Sequence, residues 1–300
     1  MKKILCIFLT LVVAVCFFGC SKANEKDSDN GNSQIKYTYD SAYAYFDQST
    51  IRGYESLCQA VVEGEEEIRL NVGMLDNIQN LFYTSFPLSK LVKSIEKNSD
   101  NSGILITYIN EKSNHLKLVK EFCSKVDSII KACEQDSQSD SAFAVRLYHY
   151  IASNIVESKN PSVSCYETII DNQGTMFSYS NMFEYILRQK GIDAYHILAQ
   201  DAAGQSWALS SAVLGGEIYY FDIMSEFYAN SGTQLIYFAM TTSDVNAEGL
   251  TNLTYTNQQT ASDSSDLHFD QCRSCKSWEI NGNSLLVTRS DDEIIEIILD

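Results

Sequence analysis

The sequence predicts an α+β fold, and three stretches carry that prediction. Apolar residues recur at helical spacing over residues 47–62 and again over 111–133. Residues 142–224 read as helix, loop, glycine-led helix, Gly-Ile turn, strand, strand, and a strand closed by Asp222. Near the end, Asn281-Gly282 lies between two apolar runs, which is a hairpin signal.

The chain opens with Met1-Lys2-Lys3, a short positive segment, followed by Ile4–Phe18, apolar except for Thr10. That run is short for a membrane span and suits the apolar region of a secretory signal. Gly19-Cys20 at its end resembles the lipobox of bacterial lipoproteins, although Phe17 stands where Leu is usual. The resemblance implies cleavage before Cys20, lipidation of that thiol, and a lipid-anchored, exported protein of the cell envelope. An ordinary signal peptide or an uncleaved anchor are the alternatives. Residues 21–36 are polar and without periodicity, which reads as a flexible tether. No further run is long enough to span a membrane, and no internal repeat occurs.

Residues 37–139 read as a mostly helical region. Ile51, Tyr54, Leu57, Cys58 and Val61 share one helical face, with Ser49 or Thr50 as a cap. Residues 67–72 alternate like a strand, 74–86 suit a short helix, and 103–109 suit a buried strand. Over 111–133, Leu118, Phe122, Val126, Ile129, Ile130 and Cys133 form one stripe, which calls for nothing beyond core packing.

Residues 140–240 form the core of the prediction. Gly174-Thr-Met-Phe-Ser-Tyr179 opens the second helix, Lys190-Gly-Ile turns into a strand, Gln205-Ser206-Trp207 opens the next, and Tyr219-Tyr-Phe-Asp222 closes the last. This order resembles the papain-like core of the bacterial transglutaminase-like family, lipid-anchored members included. The resemblance covers about residues 40–240. It implies helices packed on a mainly antiparallel sheet, preceded by a segment that covers part of the core. In that family a Cys opens the second helix, a His lies on the next strand, and an Asp ends the one after. Here those positions hold Met176, Gln205 and Asp222. Ser178 stands where the family's second glycine usually lies.

Thiol catalysis needs a thiolate, an imidazole to shuttle its proton, and a group to orient the imidazole. Met176 has no proton to lose, Gln205 cannot act as a general base, and Asp222 alone has nothing to orient. The resemblance therefore implies a degenerate site with Trp207 and Tyr179 lining the former groove. Cys165, Ser178 and Ser180 are alternative nucleophiles without a visible base. His149 falls on the first core helix and His196 on a strand away from the family's base position; both suit structural roles.

Residues 241–300 read as a loop-rich extension with a hairpin at Asn281-Gly282 and a last strand near 294–299. Once Cys6, Cys16 and Cys20 are set aside, six cysteines remain. Cys58, Cys123 and Cys133 lie on apolar faces. Cys272 and Cys275 suit a local disulfide first and free thiols second. A metal or redox role comes third, because only His268 is near and further ligands are missing.

The formal net charge of −17 becomes −19 if residues 1–20, with their two lysines, are removed. That balance disfavours nucleic acid and anionic headgroups as partners. No cofactor or metal is expected. The function that follows is a non-catalytic surface lipoprotein binding a peptide, a cell-wall fragment or an envelope protein in the former groove. The alternatives are a cysteine or serine hydrolase or acyltransferase with a migrated nucleophile, and a purely structural lipoprotein.

Overall fold

The computed structural model describes residues 35–134 and 139–299. Cys20 and the expected signal peptide lie outside the described residues, as does the tether up to residue 34. The chain divides into two units, Met1–Asn32 and Ser33–Asp300, and only the second is described.

The N-terminal third contains α1 (Gln48–Glu63), β1 (Glu67–Arg69), α2 (Leu75–Ser85), β2 (Val92–Lys97), β3 (Gly103–Tyr108) and α3 (Lys112–Cys133). The expected apolar face of α1 is buried, from Ile51 to Val61. Its cap is Asp47 rather than Ser49 or Thr50: the Asp47 carboxylate accepts from both of those backbone N–H groups. Gly64 ends the helix in the left-handed conformation. A strand absent from the sequence reading, β2, makes this region less helical than expected. The sheet order is β1-β3-β2, all antiparallel.

The middle of the chain supplies α4 (Asp140–Ala152), α5 (Cys165–Asp171), α6 (Met176–Lys190), β4 (Ala194–Gln200), β5 (Ser206–Leu214), β6 (Glu217–Phe221) and α7 (Ile223–Asn230). Further on lie α8 (Thr242–Ala247) and β7 (Thr251–Tyr255). The sheet order is β6-β5-β4-β7, antiparallel throughout. The fold class is α+β, with helices packed on an antiparallel sheet. β7 is a correction within the loop-rich extension expected from residue 241: it pairs with β4 and forms an edge of this sheet.

α6 lies across β4 and β5 and is the most deeply buried helix of the core: residues 182–189 are all buried. Full burial of each large apolar side chain there, such as Phe183 and Ile186, contributes about 1.5–3 kcal/mol. The same apolar cluster runs on through α1, α2, α3 and α4, so the N-terminal third and the core share one interior. A smaller cluster built on Ile197, Leu209, Tyr220, Met240 and Val245 covers the other sheet face. β8 (Cys275–Asn281), β9 (Ser284–Arg289) and β10 (Ile294–Ile298) form a separate antiparallel sheet; the expected hairpin is present, but its turn is Gly282-Asn283, one residue later than expected, because Asn281 pairs with Ser284. Among the described residues, no helix is long and apolar enough to cross a membrane.

Candidate functional site

Met176 is the first residue of α6. Thr175 caps the helix by accepting from the Ser178 N–H, and the Ser178 hydroxyl accepts from the Thr175 N–H. Ser178 is buried in this capping role. Gly174 is needed because a Cβ there would lie 2.7 Å from Ser178 Oγ, 2.8 Å from Thr168 Oγ1 and 2.8 Å from Tyr179 Cε2. Met176 itself is half-buried, with its thioether packed against the main core.

Gln205 is exposed in the turn before β5. Its backbone N–H donates to Asp201 Oδ1 at 2.8 Å, which fixes the turn. Asp222 is buried and caps α7: Oδ1 accepts from the Ser225 N–H at 2.9 Å and Oδ2 from the Ser225 hydroxyl at 2.7 Å. Oδ2 also accepts the Trp207 indole N–H at 2.9 Å. Burial pushes the Asp222 pKa up; the bonds from Ser225 and Trp207 oppose that shift without cancelling it. Two of the positions singled out in the sequence therefore meet, and their contact is indole to carboxylate. The third-position carboxylate holds a tryptophan and a helix end.

Trp207 is half-buried. Tyr179 is buried, and its hydroxyl serves a loop instead of a groove: it accepts from the Val156 N–H at 2.9 Å and lies 3.2 Å from the Val156 and Asn172 carbonyls.

Cys165 is the first residue of α5. Desolvation pushes its thiol pKa well up, the nearby Glu184 adds to this, and Arg188 opposes it. The Cys272–Cys275 disulfide is not made: both are free, buried thiols, pushed up by desolvation to about 12 and about 11. The 3-10 turn Asp270–Ser274 carries Cys272 into the interior, while Cys275 begins β8. His268 is engaged elsewhere, its Nε2 2.7 Å from the Ile298 carbonyl. His149 Nδ1 lies 2.8 Å from the Gly232 carbonyl, with its ring edge-on to Trp278. Among the described residues, no group of three or more His, Cys, Asp or Glu is arranged to hold a metal ion.

Ser180, one of the alternative nucleophiles, does meet His196, expected to be structural. They belong to a buried polar cluster under the sheet, with Glu184 and Arg188 of α6 and Ser210 of β5. His196 Nδ1 lies 2.9 Å from Glu184 Oε1 and 3.5 Å from Ser180 Oγ, and the two serine hydroxyls are 2.8 Å apart. A serine relay needs hydroxyl and carboxylate on opposite ring nitrogens. Here both approach the same nitrogen, and Glu184, Ser180 and His196 are 1 %, 3 % and 6 % exposed. Desolvation lowers the His196 pKa, but attraction to the Glu184 carboxylate outweighs it and the net shift is upward. Glu184 thus stabilises the protonated ring, which works against a role as base. The cluster is a buried ionic tie between α6 and the sheet. Glu184, Arg188 and Ser210 gave no sequence signal beyond their polarity, since only the pairing of β4 with β5 and the turn of α6 bring them together.

No protein-family model matches this chain, and no curated protein does. Among solved structures, it is similar to a candidate cysteine protease from Cytophaga hutchinsonii, at 13% identity and a TM-score of 0.31, over 48% of this chain and 55% of that one. It is similar to a candidate protease from Parabacteroides distasonis at 12% identity and a TM-score of 0.33, over 57% of this chain and 35% of that one. It is also similar to Legionella pneumophila LapG, treated with EGTA, at 11% identity and a TM-score of 0.30, over 62% of this chain and 84% of that one. The chain thus spans about half the length of the first of these proteins and about a third of the second.

Proposed function

We propose that this chain is a non-catalytic, lipid-anchored envelope protein with a degenerate transglutaminase-like core. Its former active-site groove takes a peptide, a cell-wall fragment or an envelope protein. One observation carries the reading: the Asp222 carboxylate is bound to the Trp207 indole and to Ser225, so no residue at this site waits to orient a base. A thioether at the head of α6 and an exposed amide at Gln205 agree with it. Cys165 lacks an imidazole partner, and the Ser180–His196–Glu184 cluster is sealed and wrongly wired, so neither offers a migrated nucleophile.

The test uses the full chain in lipid nanodiscs, wild type beside Met176→Cys/Gln205→His. Both are assayed for peptide hydrolysis and for amine transfer to glutamine-containing peptides. The expected wild type is inactive. Activity in the double variant alone would show that a substrate groove survives. Wild-type activity that Cys165→Ala or Ser180→Ala abolishes would overturn the proposal.

A further inference from the structure

A strand at the rim of a sheet presents unpaired N–H and C=O groups, and folded proteins blunt such rims. Here β1 is only three residues long, and β2 carries a bulge after Val92 together with Lys93 and Lys97. Tyr220 of β6 exchanges both backbone bonds with Met240. The Leu253 carbonyl and the Tyr255 N–H of β7 are taken by Ala261 and Gln259. β8 is bulged between Cys275 and Ser277, and Gln234 reaches its Lys276 carbonyl. β10 differs: its pairing with β9 runs unbroken from Ile294 to Ile298, without Pro, Gly or Lys.

The pairing also determines which groups of β10 are free. The Arg289 N–H donates to the Glu293 carbonyl, and the Leu299 N–H to the Asn283 carbonyl. Bonded and non-bonded positions alternate along an antiparallel pair, so the odd-numbered residues of β10 face β9. Ile294, Glu296 and Ile298 therefore aim their N–H and C=O groups away from the sheet. Among the described residues, one contact meets this row: His268 Nε2 lies 2.7 Å from the Ile298 carbonyl and closes the far end. The side chains of the same three residues stand on the solvent face. Ile294 is 65 % exposed and Ile298 53 %, with Glu296 exposed between them, whereas Ile297 is buried.

Charge narrows the choice of occupant. Glu279, Leu286 and Glu296 form one row across this face. Residues 277–281, 284–288 and 294–298 contain no Lys or Arg. The cations at the end of the sheet are already held, Lys276 by Asp292 and Arg289 by Asp291 and Glu293. Glu296 accepts from the Ser284 hydroxyl at 2.5 Å, a bond that leaves its charge uncompensated. A second copy of β10 centred on this edge would set Glu296 against Glu296, and like charges directly opposite are destabilising. A strand with a cation at that position gains instead.

We propose that β10 takes up an extended peptide as an added antiparallel strand, with Lys or Arg opposite Glu296 and β-branched residues opposite Ile294 and Ile298. The backbone groups supply affinity, and the apolar–basic–apolar pattern supplies selectivity. This edge belongs to the C-terminal sheet, so the proposal stands or falls without the former groove.

The experiment is calorimetric titration of the full chain in nanodiscs with the acetylated, amidated peptide Thr-Val-Thr-Lys-Thr-Val-Thr. Wild type is expected to bind it at least about five-fold more tightly than the same peptide with Glu in place of Lys. Glu296→Lys, at an exposed position, should reverse that preference. General attraction to a chain carrying −17 would not reverse on one substitution. N-methylation of the peptide's Lys, whose N–H faces the Glu296 carbonyl, should abolish binding. N-methylation of the Thr before it, whose N–H faces away, should not. No binding at millimolar peptide, a preference that Glu296→Lys leaves unreversed, or equal loss from the two methylations would overturn the proposal. So would pairing of two wild-type copies, read by chemical crosslinking, that Ile294→Lys/Ile298→Lys abolishes, since a second copy would then occupy the edge.

Discussion

Glu184 is the residue on which the buried tie between α6 and the sheet depends, and Glu184→Gln tests it without opening a cavity. The amide keeps the shape and one oxygen acceptor for Ser180, Ser210 and His196. It removes the charge that faces His196 Nδ1 at 2.9 Å and Arg188 Nη1 at 3.8 Å. With an effective dielectric of about 20, charges at those separations attract by roughly 6 and 4 kcal/mol before desolvation is counted. Breaking one side of a buried pair typically costs about 3–5 kcal/mol, because the surviving charge stays buried. Arg188 must remain charged, whereas His196 can release its proton. The loss should therefore be about 3–5 kcal/mol near pH 6, or roughly 6–20 °C in Tm for a protein of this size. It should also shrink with pH. The folded-state pKa of His196 lies above its ordinary 6.5. The stability it contributes is complete below about pH 6.5 and is lost as pH rises through the folded value. Denaturant unfolding of both proteins from pH 6 to about pH 9 reads this directly. A loss under about 1 kcal/mol throughout, or a gap that does not narrow toward alkaline pH, would refute the reasoning.

Other consequences are equally direct. Trp207→Phe removes one of the donors to the Asp222 carboxylate and should destabilise by about 2 kcal/mol, measured by denaturant unfolding, while raising the Asp222 pKa further, measured by carboxyl NMR titration. Gly174→Ala drives a Cβ against Ser178, Thr168 and Tyr179 and should cost about 1–3 kcal/mol in the same unfolding experiment. Cys272 and Cys275, buried and with thiols pushed to about 12 and about 11, should resist iodoacetamide at pH 8 until the protein unfolds; rapid native labelling seen by mass spectrometry would contradict their placement.

What the sequence revealed depended on how many residues repeated the same signal. α3 was legible because a stripe recurs over 22 residues, and the hairpin because Asn281-Gly282 signals a turn, which falls one residue later, at Gly282-Asn283. β2 was not: only Val92 and Ile95 are buried, and a bulge between Val92 and Ser94 breaks the two-residue period. β7 is five residues on a sheet edge, two of them buried, within a Thr- and Asn-rich stretch. At the site, Met176 at the head of a helix and Asp222 at a strand end were readable, whereas Gln205, expected to open a strand, lies in the turn before β5. The use of Asp222 as an indole acceptor was not, because it requires β5 and β6 to be paired first. Tyr179 was placed in the groove by the family resemblance alone; its hydroxyl is instead bonded to residues 156 and 172.

The strap over residues 35–46 decides how the molecule carries load. Ile35 is buried, and Lys36 exchanges two backbone hydrogen bonds with the Gln189 amide at 2.8 and 2.9 Å. Asp40 then accepts from the His196 N–H and the Thr256 hydroxyl, and its own N–H donates to Ser85. A pull applied on the N-terminal side of Ile35 therefore reaches the end of α6 and the paired strands β4 and β7 before it reaches α1. The first bonds to part are those of Gln189, and the first helix put under tension is the one that Met176 begins.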